Sequence, residues 1–181
     1  MSYLKTNKMK NLLFLIVIAA IVSCQAPVDN NSQLDGFKTN QASADAAFNL
    51  FENGSLEEMG EMYADDMFWS PPNTTDSLSK DEWQNGMKEW HANFENFSFD
   101  ERLYYPSVDD DFVPNGGVRV YGTWTSTHKA TGAATKTKYY AVIEYNDEGK
   151  VSGTMEWFDL GGVFDQIEAQ TAVSEEAPVA E

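Results

Sequence analysis

From Ala44 the apolar residues Ala44, Ala47, Phe48 and Phe51 recur at i, i+3, i+4 and i+7, the stripe an amphipathic helix turns toward a core. Gly54 supplies its C-terminal stop. Ser55-Leu56-Glu57-Glu58 reads as a capping box opening a second, short helix, with Leu56, Met59, Met62 and Tyr63 apolar. A further box, Ser79-Lys80-Asp81-Glu82, precedes Trp83, Met87, Trp90, His91 and Phe94, the clearest aromatic stripe of the chain. Beyond it the period falls to two and predicts strands from Phe97 to Tyr105, Val118 to Trp124, Tyr139 to Tyr145 and Val151 to Phe158. Thr131-Gly132 and Asn146-Asp147-Glu148-Gly149 are turn sequences, and strands joined by short turns pair antiparallel. A short strand pair is expected around Met67 to Ser70 and Thr75 to Leu78. The predicted architecture is α+β: three N-terminal helices packed on a curved antiparallel sheet, enclosing an apolar cone.

Ahead of this pattern, Lys5, Lys8 and Lys10 precede an apolar run from Leu12 to Val22. The run is well short of the roughly 20 residues a bilayer-spanning helix needs, so it reads as an export signal. Its end, Ile21-Val22-Ser23-Cys24, resembles the lipobox of bacterial lipoproteins, in which the cysteine is acylated. That resemblance implies a lipoprotein of the bacterial cell envelope, periplasmic or surface-exposed, whose partner is membrane lipid held through acylated Cys24. The plainer reading is a secretory signal with an incidental Cys24. The expected plan is a signal peptide over 1–23, a flexible polar tether over 24–39, one domain over 40–168 and a disordered acidic tail over 169–181.

Charge and composition narrow the function. Twelve Lys and Arg stand against 29 Asp and Glu, a formal charge of −17, so the basic stripe that neutralises phosphates is missing and no nucleic-acid partner is expected. The single cysteine leaves no internal disulfide framework and no Cys-rich zinc site, and His91 and His128 stand far apart in sequence. No metal and no other cofactor is expected. Asp109-Asp110-Asp111 lacks the spacing and glycine of a calcium loop and reads as a solvated turn.

The run from Phe48 through Gly54-Ser55-Leu56-Glu57-Glu58 to Tyr63-Ala64-Asp65-Asp66, followed by Asp147-Glu148-Gly149-Lys150-Val151 and Trp157-Phe158-Asp159, resembles the NTF2-like superfamily and its SnoaL-like bacterial members. The resemblance implies the same cone with a pocket at its open end, in a family of steroid isomerases, polyketide cyclases, dehydratases and binders. The isomerase residues are not matched: Ser70, Ala47 and Ala141 fall where the resemblance places the base, the tyrosine and the oxyanion acid. The cyclases resemble the chain through an acid on the last strand, a general acid/base, which corresponds to Glu156, with Asp159 the neighbouring acid.

Strand alternation turns Ser152, Thr154, Glu156 and Phe158 inward. Glu156 is then either a carboxylate in the cone, with its pKa raised by desolvation, or a surface acid in solvent or paired with Lys138 or Lys150. His91 is either an acid/base at the pocket mouth or a satisfied boundary residue. Trp69, Trp83, Met87, Trp90, Phe94, Tyr139 and Phe158 are the candidate ligand-binding residues, with ordinary core packing as the alternative. Three functions are consistent with these features. The first is a membrane-anchored domain binding a small, largely apolar ligand. The second is a cyclase, isomerase or dehydratase using Glu156, with His91. The third is an interaction module forming a homodimer through an outer sheet face bearing Thr123, Thr125, Thr127 and Val120.

Overall fold

The computed structural model describes residues 30–176, with side chains over 34–173. Helix α1 (Asn30–Glu52) begins inside the segment expected to be a flexible tether. Its polar first half stays helical because tertiary contacts hold it: Asn40 donates from Nδ2 to the Gly116 carbonyl at 2.8 Å, the Tyr145 hydroxyl donates to the Asn40 carbonyl at 2.9 Å, and Phe37 packs against the core. The helix ends in a Schellman motif. Gly54 adopts φ +76°, its N–H reaches the Phe51 carbonyl, and Ser55 N–H reaches the Leu50 carbonyl.

Helix α2 (Leu56–Glu61) is shorter than its apolar pattern suggests, and Ser55 makes no side-chain cap, so the first of the two expected boxes does not form. Strand β1 (Tyr63–Ser70) follows directly, taking Tyr63 out of the helix. The pair expected with Thr75 to Leu78 reduces to a single bridge between Trp69 and Leu78. Helix α3 (Lys80–Asn93) carries the second box intact: Ser79 Oγ accepts from Glu82 N–H, and Glu82 Oε2 accepts from Ser79 N–H at 2.8 Å.

Strands β2 (Phe94–Val108), β3 (Pro114–His128), β4 (Ala134–Tyr145) and β5 (Val151–Phe158) complete a five-stranded sheet in the order β1-β5-β4-β3-β2. Neighbours joined by turns are antiparallel, but β1 runs parallel to β5, a correction to the all-antiparallel expectation. No hairpin links that pair, so nothing in the connection imposes the antiparallel sense. Helix α4 (Leu160–Glu176) then carries ordered chain into the stretch expected to be a disordered tail. Four helices are therefore present among the described residues, with β1 interrupting the expected N-terminal three. The segment 1–29, with the expected signal peptide, Cys24 and the start of the expected tether, lies outside the described residues, as does 177–181.

Bulges bend the sheet over the helices. Pairing of β2 with β3 shifts between Glu95 and Ser98 and again between Asp100 and Leu103, where Asn96 and Glu101 take φ +56° and +57°. The second bulge also reverses the alternation. Phe99 is buried, whereas Leu103 and Tyr105, expected on its face, lie 55% and 51% exposed on the outside. Arg102, between the bulge and α1, makes the main polar tie of the fold. Its guanidinium donates to Asp45 Oδ1 (2.8 Å), Asn49 Oδ1 (2.8 Å) and Glu52 Oε1 (2.7 Å), its Nε to the Phe99 carbonyl, and it lies 5.3 Å from the centre of the Phe99 ring.

The centre of the sheet is dry. Val118, Val120 and Ala141 are fully buried, which corrects the placement of Val120 on an outer docking face. That outer face carries Thr123, Thr125 and a row of rings, Tyr105, Tyr121, Tyr140 and Trp157, one from each of β2 to β5. Tyr121 stacks on Tyr140 at 4.6 Å and Tyr140 on Trp157 at 5.2 Å, so the rings turn their faces to one another across the strands.

Candidate active site

The concave face of the sheet and helices α1, α3 and α4 enclose a cavity of about 100 Å³. Aromatic rings form much of its wall, among them Phe48 and Phe51 from α1, Trp83 and Trp90 from α3, Phe97 and Trp124 from β2 and β3, and Tyr139 and Phe158 from β4 and β5. The apolar stripes of α1 and α3 were legible from their spacing, and both face this space. Ser126, Thr135, Thr137 and Thr154 add hydroxyls, with Ser126 Oγ and Thr135 Oγ1 hydrogen-bonded at 2.8 Å.

Glu156 is the single acid of this lining, and no Lys, Arg or His accompanies it. It sits opposite Ala141 in the β4–β5 pairing, on the inward face with Thr154 and Phe158. Ser152, expected on the same face, is not in the lining, because the pairing shifts between Glu144 and Tyr145. None of the ion pairs among the described residues involves Glu156, so the reading in which Lys138 or Lys150 neutralises it is not the one the fold adopts. Burial pushes its carboxyl up to about 7, and the donors of Trp69 and Tyr139, which favour the charged form, only partly offset this. The Trp69 Nε1–H is buried and aligned with no acceptor well enough to count as a full hydrogen bond, so its pull on Glu156 is that of a nearby dipole. Burial, with the Glu156 charge, also raises the Tyr63 and Tyr139 phenols, so both stay protonated donors across the working range.

Of the residues singled out from the sequence, Glu156, Trp83, Met87, Trp90, Tyr139 and Phe158 meet at the cavity. Trp69 stands behind the wall, its indole against Gly86, where an added Cβ would come within 2.8 Å of the ring. Phe94 packs outside the lining between Trp90 and His128. His91 does not reach the cavity either. It lies against Phe51 and Phe97 at 4.7 and 4.6 Å, with Nε2 buried and unbonded. Desolvation, helped by the Lys129 charge and opposed by a bond to the Phe51 backbone, holds its pKa below the ordinary value, so at neutral pH it is a neutral packing group. Tyr63, stacked on Trp83 at 4.0 Å, and Val163 of α4 are site residues that periodicity did not reveal. Among the described residues no group of acids, histidines and cysteines is arranged to hold a metal ion.

No protein-family model and no curated protein matches this sequence. Solved structures do. A protein assigned as a polyketide cyclase from Xanthomonas campestris pv. campestris superposes with a TM-score of 0.62 at 11% identity, covering 73% of this chain and 98% of that one. A protein assigned as an isomerase from Bacillus subtilis gives 0.63 at 14% identity, covering 74% and 95%. An NTF2-like protein from Burkholderia xenovorans gives 0.57 at 15% identity, covering 72% and 97%. The fold is the NTF2-like fold, as the sequence resemblance implied. At these identities the likeness speaks for architecture, and function rests on the site.

Proposed function

We propose that the cavity is the active site of a proton-transfer enzyme, in which Glu156 acts as general acid/base on a small, largely apolar substrate carrying a carbonyl group. The observation that carries this reading is a lone carboxyl in an aromatic enclosure with no cation beside it, poised near neutrality, the range in which a group both takes and returns a proton effectively. In the proposed step the Glu156 carboxylate removes a proton from the carbon next to the carbonyl, and the electron pair of the broken C–H bond moves onto the carbonyl oxygen. Tyr63, which lines the same cavity and whose phenol stays protonated, would donate to that oxygen. Where a C=C bond is conjugated with the enolate, return of the proton from Glu156 to its far carbon completes an isomerisation; where the molecule carries a second carbonyl, the enolate carbon attacks that carbon, the π pair moves to its oxygen and Glu156 returns the proton there, completing a cyclisation. Cyclase and isomerase assignments among the structural neighbours agree with this class of chemistry.

The experiment is hydrogen–deuterium exchange at the α-carbon of cyclopentanone and cyclohexanone in D₂O, followed by proton NMR. The protein should accelerate exchange above the buffer rate, with the rate rising through about pH 7 as Glu156 ionises, and Glu156→Gln should abolish the gain. No acceleration for either ketone would leave apolar ligand binding without chemistry as the better account of the cavity, and acceleration surviving in Glu156→Gln would overturn Glu156 as the acid/base.

We also propose that the domain is held at a membrane by acylated Cys24, supported by the short apolar run and the sequence that ends it. No helix among the described residues is long and apolar enough to cross a bilayer, so such a tether would be the attachment of this part of the chain. Several acyl chains bury enough methylenes, at about 0.8 kcal/mol each, for stable anchorage. Cys24→Ala should move the protein from the membrane fraction to the soluble fraction; retention after an alkaline wash would rule the anchor out.

A further inference from the structure

We infer that α4 is a hinged gate over the cavity, with Val163 as the plug that sets the size of molecule admitted; the inference rests on the cavity being the site. Three features of the helix lead to it. Val163 is buried and forms part of the cavity wall, so one residue of α4 closes the space that the sheet leaves open. Val163 is the one buried residue among the described side chains of the helix: Leu160 and Ile167 are half-buried, and Phe164 and Val173 are 55% and 72% exposed. A helix with so little apolar burial is held weakly by the hydrophobic effect.

What holds it instead is a pair of glutamine clips. Strand β5 ends at Phe158, paired with Tyr139, so the start of β4 has an open backbone edge on that side. Gln166 fills part of it. Its Oε1 accepts from Lys136 N–H at 2.9 Å and its Nε2 donates to the Lys136 carbonyl at 3.1 Å. One turn further along, Gln170 repeats the pattern on Ala134, at 3.0 and 2.7 Å. Each amide thereby imitates a neighbouring strand. All four bonds lie at exposed positions, where water can replace both partners, so undocking leaves no backbone group stranded. Between and beside the clipped residues, Thr135 and Thr137 point inward and line the cavity, so lifting the clips opens the wall at these hydroxyls.

The helix also has a pivot. Asp159 alone separates it from β5, and Gly161 and Gly162 form its first turn. Asp159 Oδ1 accepts from Gly162 N–H at 2.8 Å, and a Cβ on Gly162 would collide with that carboxylate, so this cap requires glycine there. Two glycines beside a one-residue connection let the backbone swing with little steric cost.

Native-state hydrogen exchange tests the gate without any ligand. The amides of Lys136 and Ala134 should exchange through a local opening, faster and less sensitive to denaturant than the amides of Val120 and Ala141 in the sheet centre. Removing both clips in Gln166→Ala/Gln170→Ala should speed exchange at those two amides by at least about tenfold, from the net worth of the lost bonds, while leaving Val120 and Ala141 unchanged. Val163→Ala should extend the ketone exchange activity toward bulkier ring-substituted cyclohexanones relative to cyclopentanone. If Lys136 and Ala134 exchange only with global unfolding, α4 is a fixed part of the domain and the gate is wrong, whatever Glu156 does. If the two amides open locally and Val163→Ala leaves the ratio between large and small ketones unchanged, Val163 is not the size determinant. Failure of the parent protein to act on any ketone, with local opening present, would count against the catalytic reading and leave the gate supported.

Discussion

Glu156→Gln should make the protein more stable at neutral and alkaline pH, and by an amount that depends on pH in a defined way. In the unfolded chain the carboxyl titrates near its ordinary value of 4.5, and in the fold near 7. Below 4.5 it is protonated in both states and the substitution should have little effect. Between 4.5 and 7 the unfolded chain releases a proton that the folded protein keeps, so stability falls as pH rises, and above 7 the full cost is present. The gap corresponds to about 3 kcal/mol, a large part of the roughly 5–15 kcal/mol that holds a typical domain together. Glutamine keeps the shape and an acceptor oxygen for Tyr139, so the gain is not offset by a hole, although its amide N–H groups reduce the gain wherever they find no acceptor. Chemical denaturation of parent and variant at pH 4, 5.5, 7 and 8.5 measures it, and a difference that does not change with pH would show that Glu156 reaches water.

Arg102→Ala should be the most damaging single substitution outside the apolar core, destabilising the domain by about 2–4 kcal/mol, since removing the cation of a partly buried cluster leaves its carboxylates uncompensated. Asp45 and Glu52 would remain facing one another across the vacated space, and the rings of Phe48 and Phe99 would lose the guanidinium packed over them. The middle of the range is expected because the Asp45 carboxylate retains considerable access to solvent. Arg102→Lys should recover only part of the loss, because an ammonium cannot reproduce the fork that reaches Asp45, Asn49 and Glu52 together. The same cluster shapes the acid limb of stability. Burial works to raise the Asp45 pKa, but the Tyr104 hydroxyl and the Arg102 guanidinium outweigh it and hold the group below its ordinary 3.8. Its contribution is therefore complete above that value and disappears as pH falls through the depressed one, so the acid transition of Arg102→Ala should lie at higher pH.

Where one physical rule governs a segment, the sequence and the structure agree. The α3 stripe and its capping box form as expected, and alternation along β5 puts Thr154, Glu156 and Phe158 into the cavity. Disagreement begins where two rules compete. Met62 and Tyr63 extend the apolar spacing of α2, but Tyr63 opens β1 by pairing with Val151, a partner too distant in sequence for periodicity to reveal. Leu103 and Tyr105 continue an alternation that the Glu101 bulge inverts. His91 belongs to the α3 stripe by count, yet that stripe is wider than the cavity, and its edge falls against Phe51 rather than beside Glu156. Helix α4 was least legible because glutamine amides bonded to backbone attach it, and nothing in a hydrophobic pattern distinguishes such residues from solvated ones.

The absence of any Lys, Arg or His from the cavity lining makes the site a sieve for charge as well as for size. An anion entering it would give up hydration and meet electron-rich ring faces, the Glu156 carboxyl and a few neutral hydroxyls, with no cation to balance its charge. The long-range field of a chain carrying a formal −17 opposes its approach before that. Carboxylates and phosphate esters are therefore repelled from a chamber whose aromatic wall would otherwise suit their hydrocarbon parts. If the cavity is the site proposed above, the same repulsion would act on whatever forms inside, and a reaction that left its product ionised would drive that product out.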